Sequence, residues 1–385
     1  MPASETPVPE SSAKSNSPHL PRLGPIDYDL NGVVGIRLLD ATASDARAVA
    51  RQLGSLRNTL DRAPDIVIRF VDSLTLASPL RYLGRDTAGF TDDAFLVLRG
   101  RHKARTRVSI PFDQVGGRCE IVCESGLPAV PLLIAIVNLT ALARGVAPLH
   151  ASAFEFGDTG VLVTGWSKGG KTEALLAFMA RGASYLGDEW VYVDPAARQM
   201  FGIPQPIRLW DWHLAQLPRY AARIGWAKRT RLRAIEAAMA VGRDFGGDTP
   251  APAWSRLHAL IERQACVDVA PERLFGPVGS RRAPVDRLFL LASHAGPDVV
   301  VAPFDPLEIA ERMVYSVLYE LAPLTSYYDM ARFASPSLVN DHIDRLEGRL
   351  RAAFRRALAG CPAYAVYHPY PMRVEALFDA MRPHL

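Results

Sequence analysis

Short apolar runs, bounded by glycine, proline and polar residues, recur through the first third of the chain. They cover 33–39, 65–71, 94–98, 106–110 and 119–123 and predict strands. Between the first two runs, apolar positions recur at helical spacing over 44–60, and Ser44 is a suitable N-cap. We therefore predict an N-terminal α+β domain over residues 26–128.

The clearest local pattern is a strand, a glycine loop and a helix between residues 160 and 182. An apolar β-branched run at 160–164 predicts a buried strand, and helix formers after the loop end at Gly182, a suitable C-cap. The loop matches the phosphate-binding pattern G-x-x-x-x-G-K-[ST] in its eight residues, Gly165, Trp166, Ser167, Lys168, Gly169, Gly170, Lys171 and Thr172. This arrangement directs backbone N–H groups at an anion, so we expect these residues to bind a nucleotide.

Candidate catalytic residues lie on either side of this loop. His150 belongs to a strand-like stretch at 148–156, and the turn at 157–160 would bring it back towards the phosphate site as a hairpin. A further strand is predicted over 183–193, with Asp188 and Glu189 near its centre. Neighbouring side chains on a strand point to opposite faces, so only one of the pair can face the loop unless the strand ends between them. A carboxylate there can hold Mg²⁺ or accept a proton from an attacking hydroxyl.

As a set, His150, the loop ending Gly170-Lys171-Thr172-Glu173 and the pair Asp188-Glu189 resemble the C-terminal catalytic domain of HPr kinase/phosphorylase. Related serine kinases share this pattern, which belongs to the P-loop/PEP carboxykinase-like class. The resemblance covers about residues 148–210. It implies an ATP- and Mg²⁺-dependent kinase that phosphorylates a hydroxyl, with serine on a protein or peptide as the expected acceptor.

The resemblance also implies roles for individual residues. Lys171 and Thr172 would bind the triphosphate and Mg²⁺, Asp188 would be the general base, and His150 would assist or position it. Glu189 or Glu173 would support the metal. The loop departs from the family at Lys168, where glycine is usual, and at Trp166, where a carboxylate is frequent. The family's downstream glycine-rich segment and later metal-binding glutamate are not found, which argues against carrying over phosphorylase activity or HPr as the substrate.

Several alternatives stay open. His150 could be a core histidine bonded to the backbone, and Asp188 could be a cap. Arg208, close to Trp210 and Trp212, could contact a phosphate or lie on the surface. The whole protein could be a nucleotide-binding regulatory module without phosphotransfer, or a kinase of a small molecule.

The rest of the chain predicts an α/β catalytic core over 129–305, in a protein that is α+β overall. The core is expected to be a twisted mixed sheet flanked by helices, with a buried helix at 131–144, strands at 287–292 and 299–303, and a loop at 242–253 that could cover the substrate. A helical C-terminal region over 306–385 begins with Asp305 as cap and continues with a helix over 341–358. Residues 366–368 are predicted to form a late edge strand.

Composition narrows the partners. With 44 basic and 40 acidic residues, the net charge of +4 argues against general nucleic-acid binding. The basic segment 219–243 is predicted to be a solvated helix face, with a docking surface for an acidic peptide as the alternative.

Four cysteines are too few for a disulfide framework, which favours a reducing cytoplasm. Residues 1–25 predict a disordered tail without signal peptide, and the apolar run at 130–143 is too short to span a membrane. Family resemblance implies a ring-like homo-oligomer.

Overall fold

The computed structural model describes residues 21–100, 105–245, 265–279 and 281–385, with the backbone alone described at 236–245. Mixed sheets and the helices packed on them make the fold α+β. The strands are β1 Ile26–Leu30, β2 Val34–Leu39, β3 Ile66–Val71, β4 Arg81–Leu83, β5 Ala88–Phe90, β6 Phe95–Arg99, β7 Arg105–Ser109, β8 Cys119–Glu124, β9 Ala147–His150, β10 Ser152–Phe156, β11 Thr159–Gly165, β12 Ser184–Gly187, β13 Trp190–Asp194, β14 Gln199–Gly202, β15 Ile207–Trp210, β16 Cys266–Val269, β17 Ala283–Pro284, β18 Arg287–Ser293, β19 Val300–Pro303 and β20 Ala363–His368. The helices are α1 Ala43–Leu53, α2 Leu133–Ala143, α3 Lys171–Met179, α4 Asp211–Gln216, α5 Pro218–Ala221, α6 Trp226–Phe245, α7 Pro271–Phe275, α8 Pro306–Ala334, α9 Asp341–Asp344, α10 Leu346–Leu358 and α11 Val374–Met381.

The N-terminal part forms an eight-stranded sheet in the order β1-β2-β3-β8-β7-β6-β5-β4. All five predicted strands of this part are present, and β1, β4 and β5 are additional. Helix α1 is shorter than predicted and is capped by Thr42 rather than Ser44. Thr42 and Asp45 form a reciprocal capping box, and the helix ends at Gly54, whose φ is 62°.

A six-stranded sheet, in the order β12-β10-β11-β18-β20-β19, carries the glycine loop. The predicted hairpin is confirmed, because β10 and β11 pair antiparallel, while β18 lies parallel on the other side of β11. The predicted strand over 148–156 is wrong as a single strand: it breaks at Ala151, and His150 ends β9 in a different sheet. The prediction of a late edge strand is wrong: β20 pairs with both β18 and β19 and is interior. A four-stranded sheet, β17-β14-β13-β9, and the pair β15-β16 complete the strands of the described ranges.

Strands β11 and β18 are buried on both faces. Along β11, Leu162 packs in one apolar cluster, with α2 and α8, while Val161 and Val163 pack in another, with α3 and α11. Along β18, Leu290 packs in the first cluster and Phe289 in the second. Successive side chains on a strand point to opposite faces, so a continuous apolar run is what a strand between two layers requires. The glycine loop therefore extends from a strand fixed on both sides.

The region predicted to be helical contains α8 to α11, and it also contributes β20 to the six-stranded sheet. Asp305 caps α8 by accepting from the Leu307 N–H, as expected. The predicted helix over 341–358 is interrupted at Arg345, which separates α9 from α10. Among the helices of the described ranges, none combines the length and the apolar character that a membrane crossing needs.

Three predictions fall partly outside the described residues. Most of the predicted tail, 1–20, is not described, but Leu23 donates from its N–H to the Ala41 carbonyl, so this end of the tail is joined to the connection between β2 and α1. Helix α6 runs to Phe245, so the loop predicted from residue 242 is wrong for its first residues, and 246–253 is not described. The basic segment is helical in α5 and α6, but residues 222–225 between them are not, and its side chains are described only as far as residue 235.

Candidate functional site

The glycine loop joins the end of β11 to the start of α3 and depends on unusual backbone angles. Gly165 and Gly170 have φ values of 152° and 98°. A Cβ at Gly165 would lie 2.7 Å from the Leu291 carbonyl oxygen, so the close approach of β18 also requires glycine here. Lys168 has a φ of 63°, a left-handed angle. Glycine adopts that angle more readily than lysine does.

The N-terminus of α3 leaves its first N–H groups available. No side chain caps the helix, and the first helical backbone bond is from the Ala174 N–H to the Gly170 carbonyl. The N–H groups before Ala174 therefore have no partner within the helix, and they lie at its positive end. This geometry is suited to an anion.

Lys171 is a buried cation that folds back over the loop. Its Nζ donates to the Trp166 carbonyl at 2.9 Å and to the Gly165 carbonyl at 3.4 Å, and the residue is 6% exposed. Burial lowers the pKa of the ammonium, and the charges of nearby carboxylates, first that of Glu189, oppose this lowering. Among the described residues, no carboxylate lies within ion-pair distance of Nζ, so the ammonium is placed to bind an anion brought from solution.

Asp188 is a buried carboxylate in contact with the helix start. Its Oδ2 accepts from the Thr172 hydroxyl at 3.0 Å, and its Oδ1 accepts from the Ser152 hydroxyl. Burial and the charge of Glu189 raise the pKa of Asp188 to about 7, although both hydroxyls oppose this. The first residue of the acidic pair therefore faces the loop, and its carboxyl is able to accept a proton near neutral pH.

His150 lies between two carboxylates. Its Nε2 is 3.2 Å from Glu189 Oε2, and its Nδ1 is 3.4 Å from Oε1 of Glu320 on α8. Burial alone would raise the pKa of Glu189, but the hydrogen bond and charge of His150 outweigh it and lower that pKa. His150 thus contacts the second member of the acidic pair, and not Asp188 itself.

Two neighbouring segments of the chain, β9–β10 and β12–β13, each pass between the four-stranded and the six-stranded sheet at this point. The predicted single strand over 183–193 is wrong: β12 ends before Asp188 in the six-stranded sheet, and β13 begins after Glu189 in the four-stranded one. Glu189 has a φ of 67°, which ends the extended run. Alongside it, Ala151 alone separates β9 from β10, and its N–H donates to the Glu189 carbonyl. Because the strand ends at the pair, both carboxylates can lie near the loop.

Two predicted residues have other partners. Glu173 Oε1 accepts from Nε2 of the fully buried His213 at 3.0 Å, since His213 Nδ1 already accepts from the Trp210 N–H. Burial would raise the pKa of Glu173, but His213 outweighs it, so the pKa lies below its ordinary value. Arg208 pairs with Asp268 at 3.3 Å, while its charge still contributes to the lowered pKa of Glu189.

The remaining loop residues are more accessible. Trp166 is 51% exposed, and its ring lies 5.1 Å from that of Tyr319 on α8. Ser167 and Gly169 are partly exposed and Lys168 is exposed. The Gly169 carbonyl lies 3.0 Å from Nε2 of His368, at the end of β20. This contact connects the loop to β20.

Sequence reasoning missed Ser152, Glu320 and His368. Ser152 carries a weak signal, because a polar residue in a strand otherwise buried needs a partner. Glu320 and His368 carry none, since they come from distant segments and no local pattern relates them to the loop.

Comparison with protein-family models gives no match, and comparison with curated proteins gives none of significance. Within the described ranges, no group of three or more His, Cys, Asp or Glu side chains could hold a metal ion. Any metal here would therefore combine one or two protein oxygens with oxygens of a ligand, which is the usual mode for Mg²⁺.

Proposed function

We propose that this protein is an ATP- and Mg²⁺-dependent kinase of the HPr kinase-like class, which transfers the γ-phosphoryl group to a hydroxyl, expected to be a serine, on a protein or peptide. One observation carries the proposal: the Thr172 hydroxyl at the open N-terminus of α3 contacts the buried carboxylate of Asp188 at 3.0 Å. A proton acceptor and a metal-binding hydroxyl thus lie beside an anion site.

The loop supports the donor side of this reaction. The N–H groups at the start of α3 and the Lys171 ammonium would bind the phosphates, and Lys171 would exchange its contact with the Trp166 carbonyl for phosphate oxygens. Since the ammonium is already desolvated, its attraction to an incoming anion is strong. Binding would also place the phosphates in a fixed orientation, which accounts for much of phosphoryl-transfer catalysis.

The donor set fits magnesium. Thr172 would hold the ion through its hydroxyl, together with phosphate oxygens and water, and the Asp188 carboxylate beside that hydroxyl would stay outside the metal's ligands and so remain able to accept a proton. When bound, Mg²⁺ neutralises charge that develops on the transferred group. The side chains meanwhile keep their own hydrogen bonds, Asp188 with Ser152 and Glu173 with His213.

Asp188 would also accept the proton of the attacking hydroxyl. Its buried position favours the protonated form after transfer, which is what a general base needs. His150 would hold Glu189 in place through the 3.2 Å contact and so maintain the negative charge beside Asp188. His150 and Glu189 would therefore act by position and charge, without exchanging a proton with the substrate.

The test is phosphotransfer from labelled ATP to the proteins of a host lysate, with ATP binding measured separately. Lys171→Ala is expected to abolish nucleotide turnover, and Asp188→Asn to keep ATP binding but lose transfer. Arg47→Ala and Asp158→Asn are matched controls, because both residues are exposed and lie outside the loop and the basic segment. Normal transfer by the Asp188→Asn protein would refute the base assignment.

Two other outcomes identify the alternatives. Binding of ATP without transfer to any acceptor would indicate a nucleotide-sensing module. Transfer to a low-molecular-weight fraction alone would indicate a small-molecule kinase.

A further inference from the structure

A cavity of about 480 Å³ opens beside the glycine loop, on the flank away from the acidic pair. Its size is within the range of about 300–1,000 Å³ typical of small-molecule sites. Asp188 follows β12, on the far side of β10, whereas the cavity lies against the end of β18, the other neighbour of β11. The residues lining it are Gly165, Trp166, Ser167, Lys168, Gly169, Leu290, Leu291, Ala292, Ser293, Arg312, Met313, Tyr315 and Ser316.

Aromatic surface borders this cavity and is left open to solvent. Trp166 is 51% exposed and Tyr315 is 55% exposed, although both line a concave site. Large apolar side chains grouped around a pocket indicate a binding surface. Helix α8, which forms one wall of the cavity, is hydrogen-bonded to the loop, because the Ser316 hydroxyl donates to the Gly165 carbonyl at 3.3 Å. The aromatic rings and the phosphate-binding backbone thus belong to one continuous surface.

We propose that this cavity binds the nucleoside part of the phosphoryl donor, with its base packed against the rings of Trp166 and Tyr315. The inference rests on the proposed function, because it takes the loop to bind a triphosphate. A chain of phosphates with its terminal group beside Thr172 and Asp188 leaves its other end free on the β18 side, where the cavity is. Planar bases stack on aromatic side chains whatever their identity, so the surface selects a nucleotide over inorganic triphosphate.

The test compares the dissociation constants of ATP and inorganic triphosphate, each with Mg²⁺, by calorimetry. The native protein is expected to bind ATP at least about tenfold more tightly than triphosphate, and Tyr315→Ala to lose about tenfold in ATP affinity with triphosphate unchanged. Tyr315→Phe, which keeps the ring, is expected to bind ATP as the native protein does. Tyr82→Ala is a matched control, because Tyr82 is 61% exposed on β4, away from the loop.

The outcomes separate this inference from the proposed function. Equal affinity for ATP and triphosphate in the native protein would overturn the nucleoside site and leave the kinase proposal intact. A Tyr315→Ala protein with normal ATP affinity but a raised KM for the acceptor would assign the cavity to the acceptor and overturn the inference. Failure of the native protein to bind either ligand would overturn both.

Discussion

Replacing Thr172 by valine tests the contact on which the proposed function depends, with little change in side-chain shape. The Thr172 hydroxyl lies 3.0 Å from one oxygen of Asp188 and 3.3 Å from the other. Valine would remove this donor, while the Ser152 hydroxyl would still donate to the carboxylate. A hydrogen bond to a charged group contributes about 1.5–3 kcal/mol, and Thr172 is partly exposed, so we expect the free energy of unfolding to fall by about 1–2 kcal/mol.

The expected effect on turnover is larger than the effect on stability. The same hydroxyl is the proposed magnesium ligand, so Thr172→Val should reduce kcat about 10–100-fold and raise the Mg²⁺ concentration needed for half-maximal rate. Thr172→Ser keeps the hydroxyl and removes the methyl group, so it should retain native kcat and native Mg²⁺ dependence. The assays are chemical denaturation and steady-state phosphotransfer over a Mg²⁺ titration.

Two results would refute this reasoning. Thr172→Val protein with native kcat and native Mg²⁺ dependence would mean that the hydroxyl is not a metal ligand. Equal losses in Thr172→Ser and Thr172→Val would assign the effect to packing, because serine retains the donor.

Three further predictions concern the loop, the histidine and the N-terminal sheet. Gly165→Ala should lower the free energy of unfolding by about 2–3 kcal/mol, because the new Cβ would lie 2.7 Å from a carbonyl oxygen of β18 and because the residue has a φ of 152°. Chemical denaturation measures this difference, and an unchanged free energy of unfolding would contradict the steric argument. Glu320→Gln should reduce the transfer rate by about 3–10-fold with ATP affinity unchanged, since the Glu320 carboxylate lies 3.4 Å from His150 Nδ1 and places negative charge beside the ring. Native kinetics would rule out this electrostatic role. Asp27 accepts two hydrogen bonds from Arg37, which lower its pKa despite burial. The stability lost in Asp27→Asn, about 1 kcal/mol, should therefore be constant above about pH 5 and should disappear as the pH falls from there through that lowered pKa, and a difference independent of pH would contradict the linkage.

Sequence reasoning succeeded where one local pattern determines the structure. The glycines at 165 and 170 predict the loop, because few other residues adopt their angles, and the apolar run before them predicts a strand buried on both faces. The cap at Asp305 was predictable for the same reason, since its side chain bonds to a neighbouring N–H.

Prediction failed where contacts between distant segments decide. Apolar residues on both sides of Asp188 favour one continuous strand, and only the pairing of β12 and β13 with partners in different sheets shows the break. Apolar positions continue at helical spacing to Leu56 and Leu60, but α1 ends at Gly54, where an added Cβ would clash with the Pro204 carbonyl oxygen. Glu320 reaches His150 only because α8 packs beside β9, a contact that no spacing along the chain indicates.

The two short connections between the sheets, at Ala151 and at Asp188-Glu189, limit which insertions and deletions this chain can accept. Adding or removing one residue at Ala151, or between Gly187 and Trp190, would shift the next strand by one position and turn its side chains to the opposite face. Either change would move the imidazole or the carboxylates away from the helix start, whereas the exposed turn at Gly157 and Asp158 can be lengthened without this effect. In chains that keep the same chemistry, the lengths of these two connectors should therefore be invariant, even where their residues differ.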